Sequence, residues 1–158
     1  MGRSTMTLSR KATALAPLAA ILLLAAGLRL YHIDHESIWA DEIASLQQSA
    51  GHVTATFEPP LDSIQRPGID LTSTADARPA ADVFRNLRTD THPPLYPLLL
   101  RIWRTIFGDG DRAARALSAV FSLASVLLLY DTCRLLHSRQ TGLWAAAIMS
   151  VATAQIVY

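Results

Sequence analysis

A single cysteine, Cys133, stands among 158 residues. No internal disulfide can form, and without companion cysteines or a histidine at ligand spacing there is no zinc site around it. It reads as a small buried apolar residue or, less simply, as a reactive thiol. Charged residues make up only 17% of the chain, the formal net charge is +1, and no basic stripe offers a footprint for nucleic acid. A glycine-rich phosphate loop, a CxxC pair, HExxH and GxSxG are all missing, which leaves soluble nucleotide-binding, zinc-protease and serine-hydrolase readings without support. No internal repeat occurs. What is abundant is apolar side chains, at 51%. That share exceeds an ordinary soluble domain and points to a membrane protein.

Residues 1–11 carry Arg3, Arg10 and Lys11 and no acid, which suits a cytoplasmic tail. Residues 12–31 follow as a first transmembrane helix, uncharged up to Arg29, and roughly 20 residues suffice to cross the hydrocarbon core. Arg29 would snorkel and Tyr31 would sit in the far interface. A cleaved leader shows a similar basic start, apolar stretch and small residues such as Ala25, Ala26 and Gly27, but the apolar run exceeds the usual leader core, favouring a retained anchor. Residues 32–112 form an outer loop. Between residues 32 and 92 it holds ten acids against four arginines, so the basic tail stays inside and the loop faces out.

Two segments of that loop read as interfacial helices. Near 38–50, Trp39, Ile43 and Leu46 recur at helical spacing. Near 94–107, Leu95, Leu98, Leu99, Ile102 and Ile106 share one face, while Arg101, Arg104 and Thr105 share another. The second segment is too short and too charged to cross, since an arginine at the bilayer centre costs about 3 kcal/mol. Gly108 and Gly110 end it, with Asp109 and Asp111 in the turn. Residues 51–81 show little periodicity and are either a mobile cover or a variable linker. Residues 113–136 make a second transmembrane helix, 137–141 a cytoplasmic turn beside Arg134, and 142–158 a third crossing. That crossing stops at Tyr158 without cap or polar tail, as a truncated helix would. The expected fold is all-α integral membrane, with three transmembrane helices and two interfacial helices in the first outer loop.

Within this layout Ser37-Ile38-Trp39-Ala40-Asp41-Glu42 places two adjacent carboxylates beside an interface-seeking ring, just past the first crossing. An acid pair there can do chemistry on a lipid headgroup. It can equally be the first turn of a helix, favoured by the helix dipole.

The order of features resembles the N-terminal part of the GT-C membrane glycosyltransferases, nearest to the dolichyl-phosphate-mannose protein mannosyltransferase and aminoarabinose transferase group (glycosyltransferase family 39-like). The resemblance rests on Trp39-Ala40-Asp41-Glu42, His92-Pro93-Pro94-Leu95-Tyr96 with the apolar run to Trp103, Phe107-Gly108, Arg115, and Gly142-Leu143-Trp144-Ala145-Ala146. It implies a sugar transferase using a polyprenyl-phosphate-linked sugar, with Asp41 acting at the acceptor and Glu42 beside it. It implies that His92 lies near the lipid phosphate, although a histidine capping the Pro-Pro turn is the plainer role. Arg101 and Arg104 would meet phosphates, or form a solvated or snorkelling face. Some relatives bind a divalent metal and others none, so no cofactor is specified, and neither the sugar nor the acceptor is readable. The expected location is the cell (inner) membrane, multi-pass, with the N-terminus cytoplasmic and the first loop periplasmic or extracellular. Family members continue for several hundred residues to a second outer acid, so this chain reads as an N-terminal fragment inactive by itself. A small non-catalytic membrane protein whose acidic loop binds a partner, or a leader followed by an exported domain, are the competing readings.

Overall fold

The computed structural model describes residues 3–31, 33–35, 37–52, 72–75, 77–88 and 93–152, with side chains from residue 15 onward. Every regular element among them is a helix: α1 (Arg3–Leu30), α2 (Ala40–Ser49), α3 (Ala80–Asn86), α4 (Leu95–Phe107), α5 (Asp111–Leu136) and α6 (Arg139–Ser150). They fall into two compact units, Met1–Ile33 with Ser118–Tyr158, and Asp34–Leu117.

In the first unit α1 packs on α6, and Val126, Tyr130 and Ala146 form a buried cluster against Leu18, Ile21, Leu22, Leu143 and Met149. Ser138 caps α6, its hydroxyl accepting from the Thr141 N–H at 3.1 Å, which is the ordinary way to satisfy a first-turn donor. Gly142 lets α5 and α6 touch, because a Cβ there would lie 2.7 Å from the Tyr130 carbonyl oxygen. Large apolar side chains on all three helices, among them Leu23, Leu128, Trp144 and Ile148, point outward.

Helix α1 starts at Arg3 and runs through most of the basic tail. One expectation here, the snorkelling of Arg29, needs correction. Arg29 does not snorkel: it is 2% exposed. It donates from Nε to Ser122 Oγ at 2.6 Å and from Nη1 to the carbonyls of Ala25 and Ser150 at 3.0 Å each. Helix α6 ends at Ser150, with Val151 as its C-cap. Arg29 satisfies last-turn carbonyls that would otherwise be orphaned, at the negative end of the helix. Twelve residues rise about 18 Å, short of a full crossing. Residues 153–158 lie outside the described residues. Among those described, α5 is the one helix long and apolar enough to cross a membrane. Only 33% of its most apolar window is buried inside the protein, unlike the core helix of a soluble domain.

The second unit is built on α2 and α4, which pack together, with α3 touching both. Leu46, Leu100 and Leu117 are its buried centre, flanked by Ile38, Tyr96, Trp103 and Ala114. Residues 111–117, the first turns of α5, therefore belong to this core. Helix α2 ends in a Schellman motif: the His52 N–H donates to the Gln47 carbonyl and the Gly51 N–H to that of Gln48, both at 2.9 Å. Gly51 supplies the required left-handed φ of 81°. The same glycine admits the chain at Arg78, whose Cβ would stand 3.1 Å from an added methyl. Helix α3, absent from the expectations, is too short for periodicity to mark. It is held by the Arg78 N–H on the Ala50 carbonyl at 2.9 Å and by Asn86 Nδ2 on the Gly51 carbonyl at 2.8 Å.

Candidate functional site

The acid pair opens α2. Trp39 is the N-cap residue, and an indole has no acceptor for the first-turn N–H groups. Glu42, three residues on, supplies the other half of a capping box: its Oε2 accepts from the Trp39 N–H at 3.4 Å. Both acids also favour the positive end of the helix dipole. This is the structural role that a first-turn pair commonly has, and it is only part of the geometry.

Arg115, in the second turn of α5, grips Glu42 with a two-pronged fork. Nε donates to Oε1 and Nη2 to Oε2, each at 2.7 Å, the bidentate arrangement in which guanidinium and carboxylate bind most strongly. Arg115 is 6% exposed and its Nη2 also reaches the Ser37 carbonyl at 3.4 Å. The hydrogen bonds from Arg115 hold the Glu42 carboxyl below the usual range, outweighing the opposing effect of burial. Glu42 is thus an ionised, fully engaged acid and a weak base. Asp41 is placed differently. It is exposed and, among the described residues, has no side-chain hydrogen bond or ion pair. Adjacent on the chain, the two carboxylates point to different surroundings, as successive helical residues must.

The arginines of α4 are placed opposite to expectation. Leu95, Leu99, Ile102 and Ile106 form an exposed apolar stripe, whereas Arg104 is 2% exposed. It is therefore neither solvated nor snorkelling. Arg104 Nη1 donates to Ser49 Oγ at 2.8 Å and Nη2 to the Thr72 carbonyl. Its guanidinium also pairs with Asp109, whose Oδ2 accepts from the Ser73 hydroxyl at 3.0 Å and the Thr74 N–H at 2.6 Å. Arg104 and Asp109 therefore fasten the chain at 72–74 to the ends of α2 and α4. Arg101 is half-buried, and its Nη1 lies inside the protein without an acceptor among the described residues. Trp103 is half-buried and donates from Nε1 to the Ala113 carbonyl at 2.7 Å. Trp39 remains exposed. His92 lies outside the described residues.

The structure brings Glu42 together with Arg115, which sequence reasoning noted as a motif residue without a partner. A lone arginine opening an apolar helix was the available signal. Asp41, Arg101 and Arg104 are not joined by any described contact. No group of three or more His, Cys, Asp or Glu that could hold a metal occurs among the described residues.

No curated protein and no solved structure matches the chain. Residues 91–158 match the model of the family described as dolichyl-phosphate-mannose-protein mannosyltransferase. The matched stretch, less than half of the chain, contains α4, α5 and α6 with Arg101, Arg104 and Arg115, and leaves Asp41 and Glu42 outside it. Residues 91–158 are thus similar to a family of membrane glycosyltransferases, a likeness to the family in general and to no one subgroup of it.

Proposed function

We propose that this chain carries the acceptor-side acid of a membrane glycosyltransferase that moves a sugar from a polyprenyl-phosphate donor to an acceptor at the outer face of the membrane. The observation that carries the reading is the division of labour in the acid pair. Glu42 is immobilised by Arg115 and fixes the first turn of α2, while Asp41 presents an unengaged carboxylate from that turn. Glu42 is accordingly a positioning residue and Asp41 the working acid.

In the transfer, an acceptor hydroxyl or amine attacks the anomeric carbon from the face opposite the phosphate. Its proton passes to the Asp41 carboxylate, the bond between anomeric carbon and phosphate oxygen breaks, and the lipid phosphate leaves with the electron pair. His92 and Arg101 are the groups we assign to the departing phosphate. Arg101 has a buried N–H in need of an acceptor, and an anion would supply one. The exposed stripe of α4 supports an interfacial position, with leucine and isoleucine in the lipid and the arginines turned inward.

The test replaces the native gene by an Asp41→Asn version and follows sugar transfer from the lipid-phosphate pool in isolated membranes. Loss of general-base assistance lowers the rate by about 10²–10⁴-fold at unchanged protein level. Transfer at the wild-type rate removes Asp41 from the mechanism and the proposal with it.

A further inference from the structure

Helix α6 stops where its own sequence gives little reason to stop. From Leu143 to Tyr158 there is no proline, glycine, asparagine or charged residue, so the usual helix-ending signals are missing. Yet Ser150 is the last helical residue, and Val151 departs from helical geometry at φ −103° and ψ 1°. The Val151 and Ala152 N–H groups turn in to the carbonyls three residues back, those of Ile148 and Met149, at 3.3 and 3.4 Å. One local cause is at hand: the Ser150 hydroxyl donates to the Ala147 carbonyl at 2.7 Å. A serine bonded back in this way bends helices.

The other cause comes from α1. Arg29 Nη1 donates to the Ser150 carbonyl at 3.0 Å, across 121 positions of chain, and Nη2 to that of Met149 at 3.4 Å. In a continuing α-helix those two carbonyls accept from the N–H groups four residues on. The fork is anchored from the other side, with Nε on Ser122 Oγ of α5 at 2.6 Å and Nη1 on the Ala25 carbonyl of its own helix at 3.0 Å. Every one of these acceptors is neutral, and the arginine is buried.

We infer that Arg29 is what ends α6: a cap supplied by α1 that takes the last-turn carbonyls and releases the chain from the helix at Val151. Its positive charge stands at the negative pole of α6. Where water is scarce, a helix breaks only if something else satisfies the carbonyls it frees, and a guanidinium with fixed arms does so. Without it, the nearest donors are the N–H groups of the next turn, and α6 runs on. The inference concerns α1, α5 and α6 alone and does not rest on sugar transfer.

The full chain in detergent micelles is followed by NMR, through the Cα shifts of Val151 and Ala152 and the exchange of the Arg29 Nε–H with water. In the wild type both residues are expected at non-helical values. The Nε–H is expected to exchange at least about tenfold more slowly than that of the exposed Arg139, one buried hydrogen bond being enough for this. Arg29→Leu moves both residues to helical values. Arg29→Lys keeps the charge, and with it the placement of α1, but loses the fork and moves them part of the way. Ser150→Ala leaves them as in the wild type. Helical values in the wild type, or an Arg29 Nε–H as labile as that of Arg139, overturn the cap. So does an unshifted Val151 and Ala152 in Arg29→Lys, which decides the matter even where Arg29→Leu does not fold. A helical shift in Ser150→Ala passes the role to the serine and overturns it as well.

Discussion

At the scale of single residues, the Glu42–Arg115 fork is an acid-sensitive contact. Its arginine side is buried and its carboxylate side only one-fifth exposed, so removing one partner strands a charge. Glu42→Gln is expected to cost about 2 kcal/mol, below the figure for a fully buried pair because Glu42 keeps some water. The pH dependence has a definite sign. The native carboxyl is held below its ordinary value of 4.5. Its contribution is therefore complete above that value and is lost as pH falls through the lower, native one. Thermal unfolding followed by tryptophan fluorescence should show a midpoint that declines below about pH 4.5, with a flatter decline in Glu42→Gln. An acid limb identical in the two proteins would show that the fork contributes nothing.

At the scale of elements, the two helix pairs depend on close approach of a different kind. Helices α2 and α4 meet through Leu46 and Leu100 and are tied by Arg104, which replaces solvent at three carbonyl or hydroxyl oxygens. Helices α5 and α6 meet because Gly142 lacks a side chain, a carbonyl oxygen standing where its Cβ would be. Gly142→Val cannot be absorbed by rotating a flexible neighbour, since the obstacle is backbone. Forced separation of the pair should cost about 1–3 kcal/mol and show as faster proteolysis within α6, with Leu143→Val as a tolerated control. Wild-type resistance of Gly142→Val would mean that the two helices do not pack this closely.

At the scale of the whole molecule, the distribution of apolar surface decides between a soluble and a membrane protein. Leu128 on α5 is 68% exposed. In water, an exposed leucine replaced by arginine changes stability by no more than about 0.5 kcal/mol. At the middle of a bilayer the same change costs about 3 kcal/mol. Leu128→Arg should therefore sharply reduce the fraction of protein that resists alkaline carbonate extraction. Retention equal to wild type would count against α5 as a lipid-facing span.

Local information sufficed for some of this. The apolar runs around α1 and α5, the Gly108 stop after α4 and the turn chemistry at Ser138 can be read from the chain, because each is a matter of neighbours a few residues apart. The adjacency of Asp41 and Glu42 is likewise in the sequence. Their difference is not: it comes from Arg115, 73 positions away, and from which way each side chain leaves one helical turn. The same holds for Arg29 and Arg104, which charge alone sends to the surface. Each is internal because backbone carbonyls and a serine hydroxyl from distant segments converge on it, joined for Arg104 by the carboxylate of Asp109 just past its own helix. A buried guanidinium is tolerable only where such partners are gathered. Composition and spacing determined that the chain is helical and apolar. Only the folded arrangement decided which charges are buried among partners and which carboxylate is left unengaged, because that depends on contacts between residues far apart in sequence.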